Sequence, residues 1–404
     1  MLGTAGAHYA AFFRMPDVAR MLAMAVLARM PLGTVTLGML LHVRALTGSF
    51  AVAGATVGAY LAASAVTAPI VGRFIDRRGP HIALVVTGIV SPAALLVLWI
   101  AKPIGLSPAQ MTAAAVVAGA FAPPITVLTR TMWRHRFDGD VDRKTAFALD
   151  AVLVELAFTA GPALIALLLA VGSPAIAFGA AFFFTLLAVP TFLASPALRY
   201  WKHEPRGERH LLGPLTQGRL VAVYATTFLV TASLGLLEIA YPGFAAHAGS
   251  APLAGVLLAI NSIGSAIGGL AFGALHWKLA PPRQLPRILG LMVLPLALQA
   301  TIANAGVLAL VAFVAGLCIA PALTVVTMLV STYAPARYAT EAFTWAATCI
   351  VSGIGAGNAI GGVLLERFGA AVVFGTSAAV ALLAATCALV LTGLRRPEAG
   401  SPTA

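Results

Sequence analysis

Residues 72–81 read GRFIDRRGPH and join two apolar runs, one at about 50–72 and one at about 81–101. Each run is close to the roughly 20 residues that an α-helix needs to cross about 30 Å of hydrocarbon. Inside the joining stretch, Gly72 permits close approach of a neighbouring helix and Gly79 permits a tight turn. Asp76, Arg77 and Arg78 put a compact group of charges at the membrane surface.

Measured outward with the same ruler, the chain holds twelve such runs. They lie near 19–44, 50–72, 81–101, 108–129, 145–170 and 173–196, then 219–246, 252–275, 286–304, 306–331, 338–365 and 368–393. Backbone groups in hydrocarbon must be satisfied within the segment, so the runs are helices and the fold class is all-α. Composition agrees. Hydrophobic residues make up 60% of the 404 and charged residues 9%, against roughly a quarter charged in a soluble domain. The first run follows Arg14 and Arg20 as a signal peptide would, but its length marks it as a membrane helix.

A formal net charge of +12 raises the question of nucleic acid. The basic residues instead sit in short clusters between apolar runs, so no nucleic-acid partner is expected. Twenty-one of the 25 Lys and Arg fall on the side of the membrane that holds both termini. Arg44, Lys102 and Arg367 fall on the other, and Arg29 lies within a helix. This bias predicts cytoplasmic termini. Cys318, Cys349 and Cys387 all lie in apolar runs without metal-binding spacing, and neither metal nor cofactor is expected. No nucleophile motif or cluster of catalytic residues points to an enzyme.

The longest polar stretch, RYWKHEPRGERHLLGPLTQGR at 199–219, falls between runs six and seven. It divides the chain into an N-terminal six-helix bundle (1–197), a central cytoplasmic loop (198–218), a C-terminal six-helix bundle (219–394) and a tail (395–404). The halves look duplicated. Adding 196 to Ala146, Phe147 and Gly161 gives Ala342, Phe343 and Gly357, in TAFALDAVLVELAFTAGP (145–162) and EAFTWAATCIVSGIGAGN (341–358). Two pseudo-symmetric six-helix bundles are the expected architecture.

The loop quoted first resembles the signature of the major facilitator superfamily, G-x-x-x-D-R-x-G followed by basic residues. Gly72, Asp76, Arg77 and Gly79 match it, while Pro80 and His81 replace the usual basic pair. The resemblance implies a secondary transporter that works by alternating access. It implies that Asp76 faces the start of helix eleven, near 338–341, and latches the halves in the outward-facing state. Gly161-Pro162 in helix five resembles the Gly-Pro of exporters in this superfamily, with a packing kink as the alternative. Helix four lacks the arginine that the superfamily's drug–proton antiporters often carry; Arg130 lies at its end. The wording of several segments is similar to small facilitators of bacteria, which implies the inner membrane and a protein acting as a monomer.

Charges inside the membrane are the remaining signal, because each costs at least about 2.5–3.5 kcal/mol without a partner or a watery cavity. Arg29 and Glu155 each stand about ten residues into their helices by the sequence boundaries, so they are expected to face one another. The pair is read either as a substrate or proton site or as a static salt bridge ordering the first bundle. Asp150 stands nearer the cytoplasm, with Arg130 or Arg134 as expected partners. Glu238 in helix seven has no basic residue at its depth in the second half and is a second candidate for carrying a proton. Glu341 opens helix eleven, either as a cap-region carboxylate or as part of a gate with Arg77 or Arg78. Thr34, Thr36, Thr126, Tyr241 and Thr324 are further cavity candidates on helices one, four, seven and ten, the helices that by resemblance line the cavity. The expected function is proton-coupled efflux of a small organic molecule. Uptake by symport, or a non-transporting sensor or scaffold on the same fold, is the alternative.

Overall fold

A computed structural model describes residues 14–137, 140–201, 213–274, 278–334 and 339–393. Within them every regular element is a helix. In chain order they are α1 (Pro16–Thr47), α2 (Phe50–Arg78), α3 (Pro80–Trp99), α4 (Pro108–Ala120), α5 (Ile125–Arg136), α6 (Asp140–Val171) and α7 (Pro174–Ala194). The second half holds α8 (Gly218–His247), α9 (Ala251–Ala274), α10 (Pro281–Gln299), α11 (Ala305–Gly316), α12 (Ile319–Tyr333), α13 (Ala339–Phe368) and α14 (Ala370–Gly393). Short 3-10 turns, Pro196–Tyr200 and Gly213–Thr216, lie between the halves.

Among the described residues, ten stretches are long and apolar enough to cross a membrane. The apolar part of α6, Leu156–Val171, is a shorter one. The remaining helix, α10, spans 19 residues and has Arg283 and Arg287 in its first two turns. The twelve runs read from the sequence are all helical, but two of them are each broken in two. The fourth splits into α4 and α5 at Pro123-Pro124, because neither proline has an amide hydrogen to continue the ladder. The tenth splits into α11 and α12 at Leu317-Cys318. Helix ends follow local chemistry elsewhere. Ser107 and Gln110 form a capping box at α4, Asn304 caps α11 through Gly306 and Val307, and Gly48 and Gly79 close α1 and α2 with positive φ. The tight turn expected at Gly79 is thus present.

The bundle has a face carrying the start of α1 and the end of α14, here the terminal face, and an opposite, distal face. The duplication inferred from sequence is visible in the packing. In the first half α1 crosses α6 where Gly33 meets Gly161, with Cα of Gly161 3.1 Å from a Cβ placed on Gly33. In the second half α8 crosses α13 where Gly235 meets Gly357, with Cα of Gly235 2.9 Å from a Cβ placed on Gly357. At each crossing an added methyl would overlap backbone, so only glycine fits.

The halves touch chiefly along two helix pairs, α2 with α13 and α6 with α9. These two seams are also equivalents. A Cβ on Gly54 would overlap the carbonyl oxygen of Asn358, and one on Gly255 would overlap that of Pro162. Further along the first seam, Gly58 would meet the Gly355 carbonyl at 2.7 Å. All of these contacts lie in the distal part of the molecule. The close approach expected at Gly72 is not seen: no described atom lies within 4 Å of a Cβ placed there, nor of one placed on Gly273 of α9. Both stand towards the terminal end of their seams.

Candidate functional site

Between the two seams, at mid-depth, the halves enclose a small cavity of about 60 Å³, room for a few waters. Its walls are mostly apolar: Leu32, Leu37 and Leu40 of α1, Phe158 of α6 and Leu258 of α9. Four polar side chains enter it, Thr36, Glu238, Ser262 and Asn358. They come from α1, α8, α9 and α13, so both halves contribute.

Glu238 is the charged member. Its Oε2 accepts a hydrogen bond from Asn358 Nδ2 at 3.0 Å, and the same amide nitrogen lies 3.0 Å from the Ile354 carbonyl oxygen. Asn358 is 1% exposed. No basic side chain among the described residues pairs with Glu238. The expectation for Glu238 therefore gains one partner, a neutral amide. Asn358 had not been singled out from sequence, although it is the single amide within the glycine-rich stretch 353–362. Its two groups act differently: the side chain orients the carboxylate, and the backbone carbonyl forms the seam with Gly54.

One to two turns towards the terminal face, Arg29 is buried with 1% exposure and its Nη2 donates to Asp150 Oδ1, itself fully buried. Asp150 thus has Arg29 as a partner. The reason lies in side-chain direction. Gly33 packs level with Ala157 and Gly161, so the Cα of Asp150 lies about five residues, or ~7.5 Å, below that of Arg29. Helical side chains lean towards the helix N-terminus, and an arginine is long enough to reach down by that much. Matching Cα depths alone misses this. The side chains of Glu155, Arg130 and Arg134 lie outside the described residues, as do those of Asp76 and Glu341.

Other sequence candidates separate clearly. Thr36 lines the cavity, whereas Thr34 is buried and donates to the Met30 carbonyl. Tyr241 is fully buried against Phe374 of α14 at 5.5 Å between ring centres, away from the cavity. Thr324 is exposed and donates to the Ala320 carbonyl. Arg77 and Arg78 are exposed at the terminal face, with the Arg78 guanidinium 5.5 Å from the Phe74 ring. Pro162 does not interrupt α6; it lines the cavity and supplies the carbonyl of the second seam. Among the described residues no group of three or more His, Cys, Asp or Glu is arranged to hold a metal.

Two equivalent six-helix halves around a cavity at mid-membrane are the architecture of a transporter that alternates access between its two faces. The chain belongs to the Major Facilitator Superfamily, whose family model matches residues 21–223 and 223–404. Solved structures with the same fold include a variant of the nucleoside transporter NupG, with a TM-score of 0.76 and 15% identity over 92% of this chain and 99% of that one. The human organic anion transporter MFSD10 (TETRAN) gives 0.63 and 18% over 93% and 100%, and a variant of the peptide transporter POT gives 0.68 and 15% over 93% of both. At these identities they share the fold. Among curated proteins the comparison finds no match. The protein is a membrane transporter of this superfamily, not an enzyme.

Proposed function

We propose that this transporter exports a small organic molecule in exchange for protons, with Glu238 as the group that carries the proton. The observation that supports this most is the place of Glu238. It is a carboxylate in a mostly apolar cavity between the halves, held by an amide and not by a cation. Such a group is costly while ionised unless water, a cationic substrate or a proton accompanies it. A site that both halves line is reached from each face in turn, so one carboxylate serves both strokes of the cycle.

The Lys and Arg bias supports cytoplasmic termini, and the family wording supports a bacterial inner membrane. In that orientation the distal seams close the periplasmic side, and the conformation faces inward. Gly72, Asp76, Arg77, Arg78 and Gly79, with Glu341 at the start of α13, then form the gate that closes the cytoplasmic side in the opposite conformation. Export rests on Gly161-Pro162 in α6. Arg29 and Asp150 form the charged floor beneath the cavity.

Everted vesicles with an imposed proton gradient test this reading, using a panel of lipophilic cations, antibiotics and sugars. The expected result is a compound that dissipates the gradient with wild-type protein and not with Glu238→Gln. A compound that is transported without proton movement, or equally coupled in both proteins, overturns the role of Glu238. A compound coupled only when the proton gradient is directed into right-side-out vesicles replaces export by uptake.

A further inference from the structure

The start of α1 and the end of α7 frame an open cavity of about 500 Å³ on the terminal face, away from the transport site. Pro16, Asp17 and Arg20 line it from α1, and Leu193 and Ala194 from the end of α7. Ser195 and the following 3-10 turn, with Pro196, Leu198 and Arg199, complete it. The acid among its described residues is already satisfied. Asp17 Oδ2 accepts from Arg136 Nε at 2.7 Å and from the Tyr200 hydroxyl at 2.8 Å. The Arg136 guanidinium also stands 5.1 Å from the Tyr200 ring. The Asp17 carboxylate beside it holds Arg136 above its ordinary pKa, so this guanidinium stays charged.

Arg20 and Arg199 are different. Both line the cavity, both are exposed, and neither has a hydrogen bond or ion pair among the described residues. Two free guanidinium groups facing one cavity are a site for an anion with several oxygens, since each offers a planar fork of donors that matches phosphate. The height of the cavity narrows the choice. It sits where the apolar spans Pro16–Thr47 and Pro174–Ala194 end, which is the level of the lipid headgroups. Leu193, Ala194 and Leu198 continue its wall as apolar surface, which a free anion does not use and a lipid's glycerol and acyl region does.

We propose that this cavity binds the phosphate of an anionic phospholipid headgroup, held between Arg20 and Arg199. Basic pockets between membrane helices are known sites for such headgroups, and each nearby Lys or Arg strengthens the attraction of an anionic surface. The bound lipid would bridge the first helix of the N-terminal half to the segment that leaves it for the second half. It supplements the bridge that Asp17, Arg136 and Tyr200 already make.

The test is thermal unfolding of the purified full chain in detergent, titrated separately with short-chain phosphatidylglycerol, short-chain phosphatidylcholine and inorganic phosphate. Phosphatidylglycerol is expected to raise the melting temperature of wild-type protein by on the order of 3 °C at saturation. Its apparent affinity is expected to be about tenfold weaker for Arg20→Gln/Arg199→Gln. A charge-matched control at the same face, Arg73→Gln/Arg283→Gln, is expected to respond as wild type does. If the double variant does not fold, Arg20→Gln and Arg199→Gln singly are each expected to weaken the response. An unchanged response in the Arg20 and Arg199 variants overturns the site. So does a response to phosphatidylcholine equal to that of phosphatidylglycerol. A shift produced by inorganic phosphate alone replaces the lipid with a soluble anion and overturns the proposal.

Discussion

Pro162 and Asn358 occupy equivalent positions in the two halves, 196 residues apart, and each turns its backbone carbonyl onto a glycine of the opposite half, Gly255 and Gly54. The same two residues line the central cavity. The contacts that close the distal face and the walls of the site are therefore built from the same turns of α6 and α13. A change at the site is expected to reach the seams within one turn of helix. This is the coupling that alternating access needs between occupancy and closure.

Enlarging the seam glycines should separate closure from folding. Gly54→Val and Gly255→Val place an isopropyl group against backbone of the opposite half, with the Cβ itself in overlap, and leave each half's own crossing intact. Both variants are expected to insert and fold, with the distal face held open. Spin labels at Lys102 and Ala248, on the distal loops of the two halves, are expected to report a longer mean distance than in the parent. An unchanged distance distribution would show that the seam yields easily.

The crossings inside the halves are expected to behave otherwise. A methyl on Gly33 overlaps the Ala157 carbonyl oxygen, and one on Gly235 overlaps that of Ile354. Gly33→Ala and Gly235→Ala should each destabilise the protein by about 1–3 kcal/mol through overpacking, and by similar amounts, because the sites are equivalents. Gly72→Ala has open space around it and should leave thermal stability within about 0.5 kcal/mol of wild type. Melting temperatures of the three variants in one detergent decide the matter.

The Arg29 and Asp150 pair should show the asymmetry of buried charges. Asp150→Asn removes the carboxylate that accepts from a fully buried guanidinium and is expected to destabilise by about 3–5 kcal/mol. Arg29→Met/Asp150→Leu removes both charges and should recover much of that loss. A double variant as unstable as the single would mean that the remaining charges of this region depend on Arg29. The transport assay on the stable double variant then separates an ordering role from a role in coupling.

Sequence revealed the topology because hydrocarbon imposes a length on every apolar run and a side on every basic cluster. The repeat was readable at α6 and α13, where Gly161 and Gly357 keep the same register. It was not readable at α1 and α8, where Gly33 and Gly235 are spaced by 202 residues and differ from the register of the other pair. The breaks in the fourth and tenth spans both trace to proline. Pro123-Pro124 lies inside a run whose hydropathy hides it, while the break at Leu317-Cys318 is set from downstream by Pro321, which has no amide hydrogen for the Leu317 carbonyl. Glu238 stood out as a charge in an apolar run. Asn358 did not, because a single amide in a membrane helix costs little and one sequence does not show which way it faces. The Arg29 and Asp150 contact needed the lean of the side chain as well as the depth of the Cα.

Glu366, near the end of α13, reaches across the distal face to the start of α2. Its Oε2 accepts from the Ser49 hydroxyl at 2.5 Å and from the Ala51 amide at 2.8 Å. A carboxylate from one half thus caps a helix N-terminus of the other, and the macrodipole of α2 adds to the attraction. The equivalent position in α6, 196 residues earlier, is Ala170, so the second seam has no such cap. At an exposed site this interaction contributes about 0.3–1 kcal/mol, enough to change the ratio of distally closed to distally open molecules by roughly two- to fivefold. Glu366→Ala is expected to shift the distance distribution between labels at Lys102 and Ala248 towards the open state by that factor. Glu366→Gln keeps an acceptor and loses the charge, so it should fall between the two. If Glu366→Gln behaves as Glu366→Ala does, the charge supplies the whole effect; if neither variant moves the distribution, the glycine seams alone hold the distal face shut.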